Sequence, residues 1–373
     1  GRRSSLLYKM GEIYHDRLHD EPAALRVHEE ALEATPRFLP ALQAQARLYR
    51  QGGDSEQLVL SLSRQADVLA DPARRAAILL EVGELYETEL DQVDRAVEHY
   101  RRAIEQCPGH DGAREALLRV LGGAERWREV AEVCERALPD VGGDQARLEL
   151  LKIAGEVWEH RLLEPERAAR LYEEALALAQ DDVESLEALS RIYRRTGSYG
   201  RLVEIYELLA HSATDPREVV GYLYEAAHLL DVHLPQRDPA PLLERIVENT
   251  ASESRALAEL NRIYAGRGDL DALLRVCDAQ QALEQDDELK AATLAQLAGV
   301  REAAGDAAGA AWALGESSAL VEDWINTREL RRLRERLNQW EGVAEALERE
   351  ARLSRDTATA VGCLMRAAAL YQE

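Results

Sequence analysis

Apolar residues recur along this chain at i, i+3, i+4 and i+7, the spacing of one helix face. Leu79, Val82, Gly83 and Tyr86 trace one such face, and Ala96, Tyr100, Ala103 and Ile104 trace the next. Pro108, Gly109 and Asp111-Gly112 then punctuate the pattern. A second pair of faces follows, through Leu117, Leu118 and Leu121 and then Trp127, Val130, Cys134 and Ala137. Runs of β-branched residues alternating with period two are absent, so helices without a sheet are predicted.

The pattern repeats. Gly11-Glu12-Ile13-Tyr14, Gly83-Glu84-Leu85-Tyr86 and Gly155-Glu156-Val157-Trp158 lie 72 residues apart, and two further steps reach Ala227 and Gly299. Tyr49, Leu121, Tyr193 and Tyr264 follow with steps of 72, 72 and 71, and Ser55, Trp127, Tyr199, Leu270 and Trp340 with 72, 72, 71 and 70. Self-similarity at fixed spacing marks a repeat architecture. The reading is of one array in units of approximately 1–72, 73–144, 145–216, 217–287 and 288–357, with a sixth beginning at 358–373, each full unit holding two helical hairpins.

The odd-numbered hairpins resemble the tetratricopeptide repeat, whose pattern runs W-x2-L-G-x2-Y, A-x3-F and P. The matching residues are Leu7, Met10, Gly11, Tyr14, Ala24, His28, Ala31 and Pro36, then Leu79, Val82, Gly83, Tyr86, Ala96, Tyr100, Ala103 and Pro108. The third set is Leu151, Ala154, Gly155, Trp158, Ala168, Tyr172 and Ala175, with Gln180 in the proline position. Small residues let helices approach and aromatics fill the space between them. The resemblance implies an all-α, right-handed α-solenoid of about ten hairpins across residues 1–373, a superhelix with an exposed concave groove.

Composition narrows the function. With 46 Lys+Arg against 69 Asp+Glu the net charge is −23, which opposes a phosphate backbone, and no basic run offsets it. Nucleic acid is therefore not an expected partner. Lys9, Lys152 and Lys290 are the only lysines, so 43 arginines carry the rest, a composition that suits a bacterial protein from a GC-rich genome. No apolar stretch approaches the roughly 18 residues of a membrane helix, so direct membrane insertion is not expected. Cys107, Cys134, Cys277 and Cys363 are scattered, a pattern that suits reduced thiols and a cytoplasmic setting. The opening Gly1-Arg2-Arg3 reads as a cut end, and the chain as a segment of a longer array.

Catalytic motifs such as GxSxG, GxxxxGK[ST] and HExxH are missing, so no enzyme activity, catalytic residue, cofactor or metal is assigned. His15 and His19, with Asp16 and Asp20, read as a solvated helix end. Cys134 and Cys277 share a register position with Tyr206 and read as core packing, and Trp127, Tyr199 and Trp340 read as packing wedges. Trp312 and Trp324 fall outside that register.

In the family this chain resembles, the residue after the small glycine-like position faces the groove. That gives a ladder of Glu12, Arg47, Glu84, Arg119, Glu156, Arg191, His228, Arg262, Val300 and Arg332. It reads either as ion pairs between adjacent helices or as a surface that recognises a peptide. The expected function is a scaffold or adaptor holding a protein or peptide partner of basic or mixed charge in the groove. The alternatives are a structural element that self-associates through uncapped ends and a regulatory array attached to an enzyme or signalling domain. Leu6, Leu7, Met10, Leu364, Leu370 and Tyr371 are expected to form those end faces.

Overall fold

The computed structural model describes residues 2–250 and 253–372. Among them the secondary structure is helical, with 21 α-helices and no strand. The chain divides into two compact units, Gly1–Ile192 and Tyr193–Glu373, with the division falling inside one helix.

The first unit opens with α1 (Arg2–Asp16), α2 (Glu21–Ala34), α3 (Leu39–Gly52), α4 (Ser55–Val68) and α5 (Pro72–Thr88). It continues with α6 (Val93–Gln106), α7 (Asp111–Gly123), α8 (Trp127–Ala137), α9 (Asp144–Glu156) and α10 (Pro165–Leu178). A π-helical turn, Val157–Arg161, extends α9. The dividing helix is α11 (Val183–Thr196). In the second unit follow α12 (Tyr199–Ser212), α13 (Pro216–His233), α14 (Ala240–Asn249), α15 (Ser254–Arg267) and α16 (Leu270–Leu283). The last are α17 (Asp287–Ala303), α18 (Ala307–Leu320), α19 (Trp324–Arg336), α20 (Trp340–Leu353) and α21 (Thr357–Leu370).

Local chemistry sets these boundaries. Carboxylates of Asp20, Asp54, Asp215, Asp269 and Asp306 accept backbone N–H groups at helix starts that would otherwise lack partners. Between helices the chain turns through the left-handed region, at Gly53, Glu125, Gly197, Gly268 and Asn338 in one set of loops and at His19, Asp91 and Leu163 in the other. Gly53 takes that conformation without a Cβ clash, whereas Glu125 and Leu163 hold it against one.

Within each unit, every helix packs on the next in sequence: α1 through α10 in the first and α12 through α21 in the second. Contacts are therefore local, as in repeat arrays. Gly11, Gly83 and Gly155 are buried beneath rings: a Cβ at Gly155 would sit 2.8 Å from Tyr172 Cζ, and Gly11 and Gly83 meet His28 and Tyr100 more closely still. Gly299 differs. A Cβ there would meet nothing within 4 Å, and the residue is exposed, while Ala298 beside it is buried. The register in α17 thus shifts by one residue, which also buries Val300 and removes it from the exposed ladder.

Ser55, Trp127, Tyr199, Leu270 and Trp340 each open a helix. The aromatics among them pack at the rim rather than in the core: Trp127 and Tyr199 are half-buried and Trp340 is 50% exposed. The Arg161 guanidinium covers the Trp127 ring at 4.5 Å, and His233 stacks on Tyr199 at 3.7 Å. Cys134, Cys277 and Tyr206 are all buried, and burial pushes the Cys134 thiol up to about 12. At the ends, Leu6, Met10, Leu364 and Tyr371 are exposed, whereas Leu7 packs against the cluster of Ala31, Leu32, Ala41 and Leu42, and Leu370 against that of Val343, Ala344, Leu347 and Ala367.

Candidate functional site

The nine charged or titratable ladder residues all lie on odd-numbered helices, from Glu12 on α1 to Arg332 on α19. Glu12 is half-buried and the other eight are exposed. The helical faces that bury Leu79, Val82 and Tyr86 against neighbouring helices leave Glu84 on the opposite side, facing solvent.

The structure gives the arginines defined partners. Arg47 Nη2 donates to Glu12 Oε1 at 2.7 Å, so in the first hairpins the two ladder residues meet directly. Further along, the partner is instead a carboxylate one helical turn beyond the ladder position. Arg119 binds Glu87 through both Nη atoms, with Nη2–Oε2 at 2.9 Å. Arg191 reaches Glu159 at 3.3 and 3.4 Å, Arg262 lies 3.7 Å from Asp231, and Arg332 donates to Glu302 at 2.7 Å. Glu87, Glu159, Asp231 and Glu302 were not singled out from the sequence, although their spacing of 72, 72 and 71 matches the other series. Each lies three or four residues after a small buried residue on the same helix, a relation visible once helix faces are compared.

Glu87 is the most connected of these acids. The buried Tyr100 donates its hydroxyl to Glu87 Oε2 at 2.7 Å while Arg119 holds the same carboxylate. Burial alone would raise the Glu87 pKa, but the hydrogen bonds from Arg119 and Tyr100 outweigh it and hold the carboxyl below its ordinary value. Burial, then Glu87, raises the Tyr100 hydroxyl in turn. Glu159 is buried in the π-helical turn that ends α9.

Other polar bridges link successive odd-numbered helices. Within the first unit Arg50 pairs with Glu81, and Lys152 donates to Glu184 at 2.7 Å. In the second, Arg194 approaches Glu225 at 3.4 Å and Arg366 donates to Glu335 at 3.0 Å. Against this background Glu84 and Glu156 stand out: both are exposed, and neither forms an ion pair among the described residues. His228 lies with Asp231, Arg262, Arg255 and Tyr224 around a cavity of about 210 Å³ in the second unit.

Among the described residues, no group of three or more His, Cys, Asp or Glu is placed to hold a metal ion. No helix among them is long and apolar enough to cross a membrane.

Residues 185–220 match the family model of the tetratricopeptide repeat. No curated protein sequence matches the chain. Among solved structures, the chain is similar to YrrB, described as a tetratricopeptide-repeat protein with an unusual peptide-binding site, at 18% identity and a TM-score of 0.30, covering 49% of this chain and 91% of that one. It is similar to pilF of Pseudomonas aeruginosa at 19% identity and a TM-score of 0.30, covering 60% and 92% of the two chains. A third, the Cut9–Hcn1 hetero-tetramer of the APC/C, matches at 13% identity with a TM-score of 0.27 over 98% and 96%. Residues 185–220, from α11 to the start of α13, thus match a tetratricopeptide repeat within a chain whose described residues are all-α.

Proposed function

We propose that this chain is a non-enzymatic interaction scaffold that holds an extended segment of a partner protein along the odd-numbered helices of its first unit. The observation that carries this reading is the division of labour in the ladder. Arg119 and Arg191 are held by Glu87 and Glu159, while Glu84 and Glu156 are exposed with no ion pair among the described residues. Carboxylates left over in this way favour a partner whose Lys or Arg side chains recur along its length. The net charge of −23 steers such a partner toward the surface. Arg47, Arg119 and Arg191 remain about half exposed or more, so their outer N–H groups stay available to peptide carbonyls.

The test is capture of a partner from an extract of the native host, followed by titration of that partner against Glu84→Lys/Glu156→Lys and Arg119→Ala/Arg191→Ala. Circular dichroism checks helicity alongside. Loss of binding in the charge-reversed protein with helicity intact supports the reading. Unchanged binding in both double variants moves the site off this face.

A second reading is favoured by exposed apolar residues at the first and last helices: Leu6, Met10 and Ile13 on α1, and Val361, Leu364 and Met365 on α21. It takes these faces as sites of self-association. Light scattering over a range of concentrations tests it, and a constant monomer mass excludes it.

A further inference from the structure

One repeat places a charge where its equivalents are uncharged. Leu42, Leu186 and Leu257 occupy one register position, spaced by 144 and 71 residues, and each is fully buried. The position between the first two, 72 residues from each, holds Arg114, and it too is buried, at 7% exposure. Nη2 of Arg114 is satisfied by Asp111, but Nη1 is buried with no hydrogen-bond partner among the described residues. Leaving such a donor unmade costs roughly 1–3 kcal/mol, more when charged. A leucine slot given over to a half-satisfied guanidinium therefore needs a reason.

Arg114 lines a cleft of about 390 Å³ formed by α6, α7 and α8. That volume falls in the range of roughly 300–1,000 Å³ usual for ligand sites. Ile104, Leu117, Val133 and Ala137 give it an apolar lining. Glu105, Glu132 and Asp140 stand at it without ion pairs among the described residues, against a single free cation, Arg136, since Arg101 is tied to Glu129. An apolar cleft, an acidic surround and one unused buried donor define complementary chemistry: an aliphatic side chain, a neighbouring cation and a carbonyl oxygen.

We propose that this cleft binds a short peptide segment in which an aliphatic residue is flanked by Lys or Arg. The side chain rests on Ile104, Leu117 and Val133. The flanking cation faces Glu105, Glu132 and Asp140. A backbone carbonyl of the segment accepts from Arg114 Nη1 after a small turn of the guanidinium toward the cleft. The site is separate from the ladder, which lies on exposed positions of the odd-numbered helices, so either can fail without the other.

The experiment is a methyl NMR titration of the full chain, labelled at Ile, Leu and Val, with acetyl-Lys-Leu-Lys-amide. Saturating shifts of the Ile104, Leu117 and Val133 methyls are expected. Acetyl-Lys-Ser-Lys-amide and acetyl-Glu-Leu-Glu-amide should each bind about tenfold more weakly or worse. Arg114→Leu should weaken binding by a similar factor while the spectrum stays dispersed, because Leu already fills the matching slots. Glu105→Lys/Glu132→Lys, both at the surface, should reverse the preference between the Lys and Glu peptides without disturbing the core. Absence of methyl shifts at millimolar peptide overturns the proposal. So does unchanged affinity in Arg114→Leu, or equal affinity for the Glu peptide. Leucinamide alone binding as tightly as the tripeptide would make the cleft a small-molecule site and overturn the peptide assignment.

Discussion

The ring of Tyr100 lies directly on the backbone of Gly83, and its hydroxyl is tied to Glu87 one turn further along the same helix. The two contacts fix α5 against α6 at a separation that no larger residue at position 83 permits. Tyr100 cannot swing away without giving up a partly buried hydrogen bond. Gly83→Ala should therefore lower stability by about 1–3 kcal/mol, as overpacking does, and Gly83→Leu by at least as much. Gly299→Ala, where the added methyl meets nothing, should be neutral or raise stability by up to ~1 kcal/mol through helix propensity. Chemical denaturation of the two variants side by side checks the contrast.

His28 occupies the place that Tyr100 and Tyr172 take elsewhere, and both its ring nitrogens are buried without hydrogen-bond partners among the described residues. Burial, helped by Arg47 and His15 and opposed by Glu12, lowers its pKa from 6.5. The unfolded chain therefore binds a proton that the folded one resists. Stability from this site is full above pH 6.5 and falls as the pH drops below that value, until the folded imidazole is itself protonated. His28→Tyr should flatten this limb of a plot of melting temperature against pH. An unchanged limb would assign the acid sensitivity to other groups.

Glu87 behaves in the opposite sense, as a carboxylate held below its ordinary 4.5. Its contribution is present above pH 4.5 and is lost as the pH falls through the folded-state value. Glu87→Gln should remove that part of the acid transition. At neutral pH it should cost no more than about 1 kcal/mol, because Arg119 is mostly exposed and its half of the network is worth little.

Leu163 holds a left-handed backbone, φ 57°, with its side chain largely in solvent. It therefore carries the steric penalty of that conformation with little packing in return. Leu163→Gly should raise stability by about 1 kcal/mol, less the extra entropy of the unfolded glycine. A rise in the denaturation midpoint without a change of slope is the expected result.

Thiol reactivity should separate the cysteines. Cys134 and Cys277 are buried, and burial raises both thiols, Cys134 to about 12. Native protein at mildly alkaline pH should be alkylated at the half-buried Cys107 well before Cys134 or Cys277, which should react only on unfolding. Mass spectrometry of digested, alkylated protein reads this directly.

The periodic pattern alone places the helices, the loops between them and the residues where they approach. Gly11, Gly83 and Gly155 recur with one spacing, and each takes a ring from the following helix, because helix faces and close contacts are local properties that a short period encodes. Tertiary structure decided the rest. The partners of Arg119 and Arg191 are Glu87 and Glu159 rather than the ladder glutamates, because which carboxylate a long guanidinium reaches depends on how far one helix slides along the next. The same holds for Gly299, which looked like the glycine of the motif but stands outside the core once α17 shifts by one residue. Arg114 was legible in principle as an arginine in a leucine register. That it is enclosed, half-satisfied and set in the wall of a cleft follows only from packing α6, α7 and α8 together.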